Sequence, residues 1–284
     1  MIRIAAALLV VLVPSLLSAQ ETSPTLEKIR SGKTITIGHR TDALPFSYAD
    51  AAKQPAGYSV ELCKRVAASI GRQIKVQPLA IKWVATTSQN RLELVRNRQI
   101  DMECGSTTAT LSRMAQVDFS SPIFVDTTGL LVRRGAGTSD FASMAGKKIA
   151  VIGGTTNQKA LETAMKRQGV NATTVTMKNR EEAVAALEAG SVDAFASDKI
   201  LLHGLARKVK DPAQYGVMEE DLGYEPYAIA LPYNDAGMQL AVNRALSEIY
   251  DSGAIADIFR SAFGADTRPT PVLLIMYGIS AYPE

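Results

Sequence analysis

S-Q-N-R-L-E-L-V-R-N-R-Q-I-D-M-E-C-G-S-T-T-A-T-L-S-R, residues 88–113, is the stretch on which the reading of the whole chain turns. It opens with a polar turn carrying Ser88 and Arg91. A helical pattern follows, with Leu92, Leu94, Val95 and Ile100 as its apolar members. A short strand, Ile100 to Cys104, then ends in small residues, Gly105, Ser106, Thr107 and Thr108, and Arg113 stands a little further on. Small hydroxyl residues between a strand end and a helix start leave backbone N–H groups free to meet an anion. An arginine one turn later closes on the same anion with a planar, two-pronged fork. The pattern thus predicts a site for the α-carboxylate of a small ligand; the alternative is an ordinary βα turn with a surface arginine.

Outward from this stretch, the chain has 284 residues, enough for one large domain or two ordinary lobes. With 46% hydrophobic and 21% charged residues, it has the composition of a globular protein. A net charge of +3, with basic and acidic residues interleaved, argues against nucleic acid as a partner. His39 and His203 stand far apart without cysteine or histidine companions at ligand spacing, which excludes an ordinary zinc motif.

Residues 1–19 have the pattern of a cleaved export signal. Arg3 supplies the basic start, Ile4 to Leu17 the apolar run, and Leu17-Ser18-Ala19 a small-residue cleavage site. The apolar run is shorter than the ~20 residues of a spanning helix. The expected product is an exported, periplasmic protein cut after Ala19. Export gives Cys63 and Cys104 two open readings: a disulfide, or two buried free thiols.

In chain order, Leu26 and Ile29 suggest one or two helical turns, and Thr34 to His39 alternates as a strand. Pro45 predicts an exposed turn over Leu44 to Tyr48, presenting Arg40 and two aromatic rings. A helix is expected from Gly57-Tyr58-Ser59, with Leu62, Val66 and Ile70 on one stripe, then a strand from Gln73 to Leu79. Asp118 to Phe124 reads as irregular and Thr127 to Val132 as a strand. Beyond Arg133-Arg134-Gly135 the pattern turns to strand–helix alternation. Strands are expected at 148–152, 173–177 and 192–196, with helices opening near Thr155, at Arg180 and at Ile200. Such alternation implies a parallel sheet with helices on both faces and ligands at the carboxyl ends of its strands. Thr155, Thr156 and Asp198 fall at that rim. A return crossing at 219–224, a strand at 227–231, two helices and a patternless tail from Pro269 complete the reading.

Several segments, in order, resemble one family, the periplasmic amino-acid-binding proteins of ABC importers, solute-binding protein family 3. They are G-H-R at 38–40, P-F-S-Y at 45–48, G-Y-S at 57–59, T-S-Q-N-R at 87–91 and E-C-G-S-T-T at 103–108. F-S-S-P-I-F at 119–124, G-T-T at 154–156, L-E-A-G at 187–190 and D-A-F-A-S-D at 193–198 continue the series. T-S-Q-N-R with E-C-G-S-T-T is most similar to the glutamate/aspartate-binding branch.

The resemblance implies an α/β, two-lobed periplasmic-binding-protein fold, each lobe a mixed, mostly parallel sheet flanked by helices, with two crossover strands at the hinge. On that reading residues 20–127 and 224–284 form lobe 1 and residues 128–223 form lobe 2. It further implies a monomer that carries L-glutamate or L-aspartate to an ABC transporter permease in the inner membrane. Arg113, Thr108 and Thr156 would hold the α-carboxylate and Asp198 the α-ammonium. Arg40, Ser88, Arg91 and Ser106 would hold the side-chain carboxylate. Where that branch has a histidine near the distal carboxylate, this chain carries Arg180, which either replaces the contact or points away.

The residues alone lead toward the same chemistry. A dicarboxylic amino acid needs at least two cationic forks and one acid; Arg40, Arg91 and Arg113 are the forks and Asp198 the acid. Asp198 is also placed to cap the helix that follows it. The competing reading is an exported prephenate-type dehydratase on the same fold, for which Glu61, Glu93 and Glu103 are unassigned acids. The sequence carries no G-x-S-x-G elbow, H-E-x-x-H or P-loop.

Overall fold

The computed structural model describes residues 23–135 and 137–283. The export signal read at residues 1–19 therefore lies outside the described residues. Helix α1 (Pro24–Gly32) starts at Ser23, whose hydroxyl accepts from the Leu26 N–H. Strand β1 (Thr34–Arg40) follows, then a small three-stranded sheet of β2 (Asp42–Ala43), β3 (Ser47–Ala49) and β4 (Pro55–Ala56). Next come α2 (Tyr58–Gln73), β5 (Ala80–Thr86), α3 (Arg91–Arg96), β6 (Met102–Glu103) and α4 (Leu111–Met114). The long strand β7 (Asp118–Arg133) leads into β8 (Lys148–Ile152), α5 (Thr156–Gln168), β9 (Thr173–Met177) and α6 (Arg180–Glu188). Strand β10 (Ala194–Asp198), α7 (Lys199–Ala206) and β11 (Tyr215–Val217) precede the returning strand β12 (Gly223–Leu231). Helices α8 (Ala236–Asp251), α9 (Ile255–Phe263) and α10 (Pro271–Ser280) close the chain.

The main sheet runs β5-β1-β6-β12-β7-β10-β8-β9, with β11 on the side of β7. Its two ends are parallel (β5, β1 and β6 at one, β10, β8 and β9 at the other), while β12 and β7 join them as an antiparallel pair. The fold is therefore two-lobed, and one sheet runs from lobe to lobe through its two crossover strands. In their register Phe124 faces Tyr227, Asp126 faces Glu225 and Thr128 faces Gly223. Side chains two apart on a strand share a face, so an aromatic pair and an acidic pair stand next to each other on one face.

The first lobe is built on Phe46, Tyr58, Phe124, Tyr227 and the apolar stripes of α2, α8 and α9. The second has an apolar cluster on each face of its sheet, one around Phe141 and Leu161, the other around Phe195 and Leu202. A disulfide joins Cys63 on α2 to Cys104, the residue after β6, with Cα atoms 6.4 Å apart. This decides between the two readings of the cysteines. It anchors the start of the Gly105–Thr108 turn to the helical layer.

Four local expectations are corrected. The 44–48 segment is not an exposed turn: Phe46 is fully buried, edge-on to Phe124 and Tyr227, and Arg40 is buried too. The strand expected at 73–79 begins only at Ala80, because Gln73 still belongs to α2 and pairing with β1 starts at Thr34–Ala80. The segment 118–124 is part of β7; its irregularity is a pair of register shifts opposite Tyr227 to Ala230. The tail holds α10, started by Pro271 and capped by the Thr270 hydroxyl. Its Leu273, Met276, Tyr277 and Ser280 are buried at helical spacing.

Candidate binding site between the lobes

The residues singled out in the sequence stand at strand ends and helix starts that meet between the lobes. Arg40 ends β1 and Ser88 follows β5. Arg91 begins α3, and Ser106 and Thr108 follow β6. Arg113 lies on α4, Thr156 begins α5, and Asp198 ends β10. Arg180, whose direction the sequence left open, begins α6 and turns inward. Arg40, Arg91, Arg113 and Arg180 are 3%, 4%, 8% and 3% exposed, an unusual degree of burial for four guanidinium groups.

At one end of the cleft, Arg40 donates to the Ser88 hydroxyl at 2.8 Å and to Asp42 Oδ1 at 2.6 Å. Arg180 reaches the other oxygen of Asp42 at 3.2 Å, so one carboxylate from β2 serves an arginine from each lobe. Arg180 also lies 3.9 Å from Asp198. Arg91 and Arg113 donate to backbone carbonyls, those of Ser106 at 3.5 Å and Thr108 at 2.7 Å. Burial comes first in lowering Arg40, to about 10, and Arg180 adds to it. Burial also pushes Arg91 to about 10, opposed by Glu103 and reinforced by Arg113 and Arg180. Burial pushes the Asp42 carboxyl up, but Arg180 and Arg40 outweigh it and hold the group below its ordinary value.

Five buried side-chain atoms without a hydrogen-bond partner among the described residues gather in this region: Nε of Arg40, Arg91 and Arg180, Oγ of Ser106 and Oε1 of Glu103. Buried polar atoms in native proteins are nearly always satisfied, so these mark a place prepared for a further polar group. Gly105 keeps the turn close to Glu103 and Arg40. A Cβ there would lie 2.4 Å from Glu103 Oε1 and 3.0 Å from Arg40 Cγ. Glu103 Oε2 accepts from the Thr107 hydroxyl at 2.6 Å, and Glu61 pairs with Lys64 on α2.

The other end of the cleft is acidic and rich in hydroxyls. Glu225 Oε2 accepts from Thr108 Oγ1 at 2.5 Å and Thr156 Oγ1 at 2.6 Å. Its Oε1 accepts from Thr128 Oγ1 at 2.6 Å and from Asn157 Nδ2 at 3.4 Å. Asn157 also donates to Asp198 Oδ1 at 3.1 Å. Asp198 occupies the N-cap position of α7 but makes no capping bond with its side chain. Asp126 on β7 takes that duty, accepting from the Ile200 N–H at 3.1 Å, and this leaves the Asp198 carboxylate to the cleft. Burial first, then Asp198, raises Asp126 to about 7 and also raises Glu225.

Sequence reasoning did not single out Asp42, Asp126, Thr128, Asn157 or Glu225. For the acids on the crossover strands a signal existed. Glu225 shares a strand face with Tyr227 and Ile229, and Asp126 with Phe124 and Thr128; an acid on a buried period-2 face is rarely idle. Beside the arginine cluster, a cavity of about 400 Å³ runs along the seam between the β2–β3 hairpin and α6–α7. It shares Asp42 and Arg180 with the cluster and is otherwise lined largely by apolar side chains such as Leu44, Val184 and Leu205.

Two lobes, two crossover strands and a polar, arginine-lined cleft between them define an extracellular binding-protein architecture. The chain belongs to the bacterial extracellular solute-binding proteins, family 3, whose model matches residues 35–265. It is similar to the L-glutamate/L-aspartate-binding protein of Pseudomonas aeruginosa, 36% identical over 277 residues, covering 95% of this chain and 90% of that one. The glutamate/aspartate import solute-binding protein of Escherichia coli is 31% identical over 83% of this chain and 78% of its own length. Among solved structures, a receptor for L-cysteine from Neisseria gonorrhoeae matches with a TM-score of 0.74 at 24% identity. That match covers 86% of this chain and 97% of the receptor, and it bears on the fold alone.

Proposed function

We propose that the protein is the extracytoplasmic solute-binding component of an ABC transporter, capturing an acidic amino acid, glutamate or aspartate, between its lobes. It is a binding protein rather than an enzyme, in keeping with the names of the curated relatives described above. In this reading it works in the periplasm as a monomer and delivers its ligand to a membrane permease. We take the lobes as residues 20–127 with 224–284, and residues 128–223. The facing pair Thr128 and Gly223 supports that division.

The observation that carries the reading is the burial of four arginines from both lobes, two of which donate to carbonyls. A buried guanidinium without a full anionic partner is costly, and a dicarboxylate supplies two partners at once. Arg113 takes the α-carboxylate. Arg40, Arg91 and Arg180, with the hydroxyls of Ser88 and Ser106, surround the distal carboxylate. Asp198 takes the α-ammonium, and Thr108 and Thr156 line the cleft near the α-carbon. Arg180 thus fills the place where the resembling branch has a histidine.

Calorimetry on ligand-stripped protein tests this with L-glutamate, L-aspartate, L-glutamine and L-arginine. Tight one-to-one binding of an acidic amino acid, with glutamine much weaker, is the expected result. Glutamine leaves part of the arginine cluster unpaired, a loss of about 1.5–3 kcal/mol per missing charged hydrogen bond. Absence of heat with both acidic amino acids, or equal binding of glutamine, overturns the assignment.

A further inference from the structure

Among the described residues, every hydrogen bond to the Glu225 carboxylate arrives from a donor on another part of the cleft wall. Thr108 comes from the turn after β6, Thr128 from β7, and Thr156 and Asn157 from the start of α5. A carboxylate only accepts, whereas a threonine hydroxyl has one proton to give and lone pairs left over. Thr108 and Thr156 lie 3.2 Å apart, oxygen to oxygen, and both are within 2.6 Å of the same Glu225 oxygen. Once their protons point at Glu225, the two hydroxyls have only acceptor capacity to offer a ligand. Asn157 is fixed the same way, with its amide N–H groups on Thr128, Asp198 and Glu225.

The placement of Glu225 has a cost that a structural role alone leaves unexplained. It sits 1% exposed and directly opposite Asp126 on the neighbouring strand. Like charges facing each other across a strand pair are destabilising. Asp198 adds a third acid, held to Glu225 through the shared Asn157 amide. A positive group placed among these three acids would offset their repulsion.

Resting on the acidic-amino-acid reading above, we propose that Glu225 is a specificity-determining positioning residue. By taking the hydroxyl protons of Thr108 and Thr156, it makes this wall of the cleft accept and not donate. The wall therefore demands a cation beside the α-carbon and disfavours the same dicarboxylate without its ammonium. This assigns Thr108 and Thr156 to the α-ammonium, in place of the α-carboxylate to which the sequence resemblance would give them. It leaves the α-carboxylate to Arg113. Glu225 itself acts through the two hydroxyls.

The test compares L-glutamate with glutarate, which has both carboxylates but no ammonium, by calorimetry on the ligand-stripped protein and its Glu225→Gln variant. An amide at 225 puts a donor where four donors converge, so at least one threonine proton is released toward the cleft. The expected result is a fall in the glutamate-over-glutarate preference of about tenfold or more, the scale of one charge-assisted hydrogen bond. An unchanged preference in a folded variant overturns the proposal while leaving the functional reading in place. If Glu225→Gln does not fold, as judged by circular dichroism, Thr156→Val and Thr156→Ser carry the test. Valine should weaken glutamate about tenfold and leave glutarate unchanged or improved, and serine should restore the preference. Equal losses on both probes with valine overturn the proposal. A wild-type protein that binds no α-amino acid overturns the functional reading and this proposal together.

Discussion

Two neighbouring cross-strand pairs on one face of the crossover strands obey opposite rules. Phe124 and Tyr227 stack at 6.1 Å between ring centroids inside the aromatic core of the first lobe. One step along, Asp126 and Glu225 face each other as two buried acids. The backbone geometry is shared, so the side chains alone decide that the first pair stabilises the fold and the second burdens it. An aromatic pair adds about 0.5–1.5 kcal/mol beyond its buried area, whereas two facing carboxylates repel until one is protonated or a cation arrives. The boundary between core and cleft is thus drawn within a single strand pair.

The largest effect that could break this comparison lies on the aromatic side. Phe124→Ala should lower stability in denaturant unfolding by about 3–5 kcal/mol, since its ring meets Phe46, Tyr58, Tyr227 and Phe263. A loss below about 1 kcal/mol would show that the core does not rest on this pair.

On the cleft side, Arg113→Ala should weaken binding of the acidic amino acid by about 2–5 kcal/mol. Its ligand-free melting temperature should change little or rise, because the cost of burying this guanidinium outweighs its attraction to Glu225, Glu103 and Asp198. Near-wild-type affinity would sink the role given to Arg113.

A third variant, Asp126→Asn, sharpens the contrast through pH. The groups facing Asp126 are Asp198, Glu225 and the Tyr227 hydroxyl. Burial raises it from 3.8 to about 7, so between those values the folded state binds more protons than the unfolded one. Its contribution to stability is therefore fully present below about pH 4 and is lost as pH rises toward and through 7. At about 1.4 kcal/mol per pH unit, this decline is at most about 4 kcal/mol and should be flatter in the asparagine variant. Parallel stability curves for the two proteins from pH 4 to 8 would contradict the burdened-pair account.

The same contrast explains what could be read in advance. Helix stripes such as Leu62, Val66 and Ile70, and the strand–helix alternation beyond Arg133, are periodic and local, so the α/β character is legible in the pattern, while the two lobes rest on the family resemblance. The arginines and hydroxyls are legible too, because they sit at strand ends where the pattern changes. Glu225 is hidden in the sequence because the strand pattern becomes evident only two residues later, at Tyr227. Asp126 is hidden because it lies between the patternless segment 118–124 and the β-like run that begins at Thr127. The cap that Asp126 supplies to α7 joins residues 74 positions apart. No local pattern announces such a contact. Helix α10 does carry a local signal: Leu273, Met276, Tyr277 and Ser280 have helical spacing, and Thr270-Pro271 is a helix start.

The continuous pairing of residues 124–128 of β7 with 223–227 of β12 also has a mechanical consequence. Both connections between the lobes are paired strands, so opening and closing must be absorbed as twist spread over several residue pairs. The connection then behaves as a leaf spring with one soft direction, and its rest position is set by backbone geometry rather than by a slack tether. Amide hydrogens of residues 125–128 and 223–225 are the natural gauges of that spring. Their exchange should slow together when ligand holds the lobes closed.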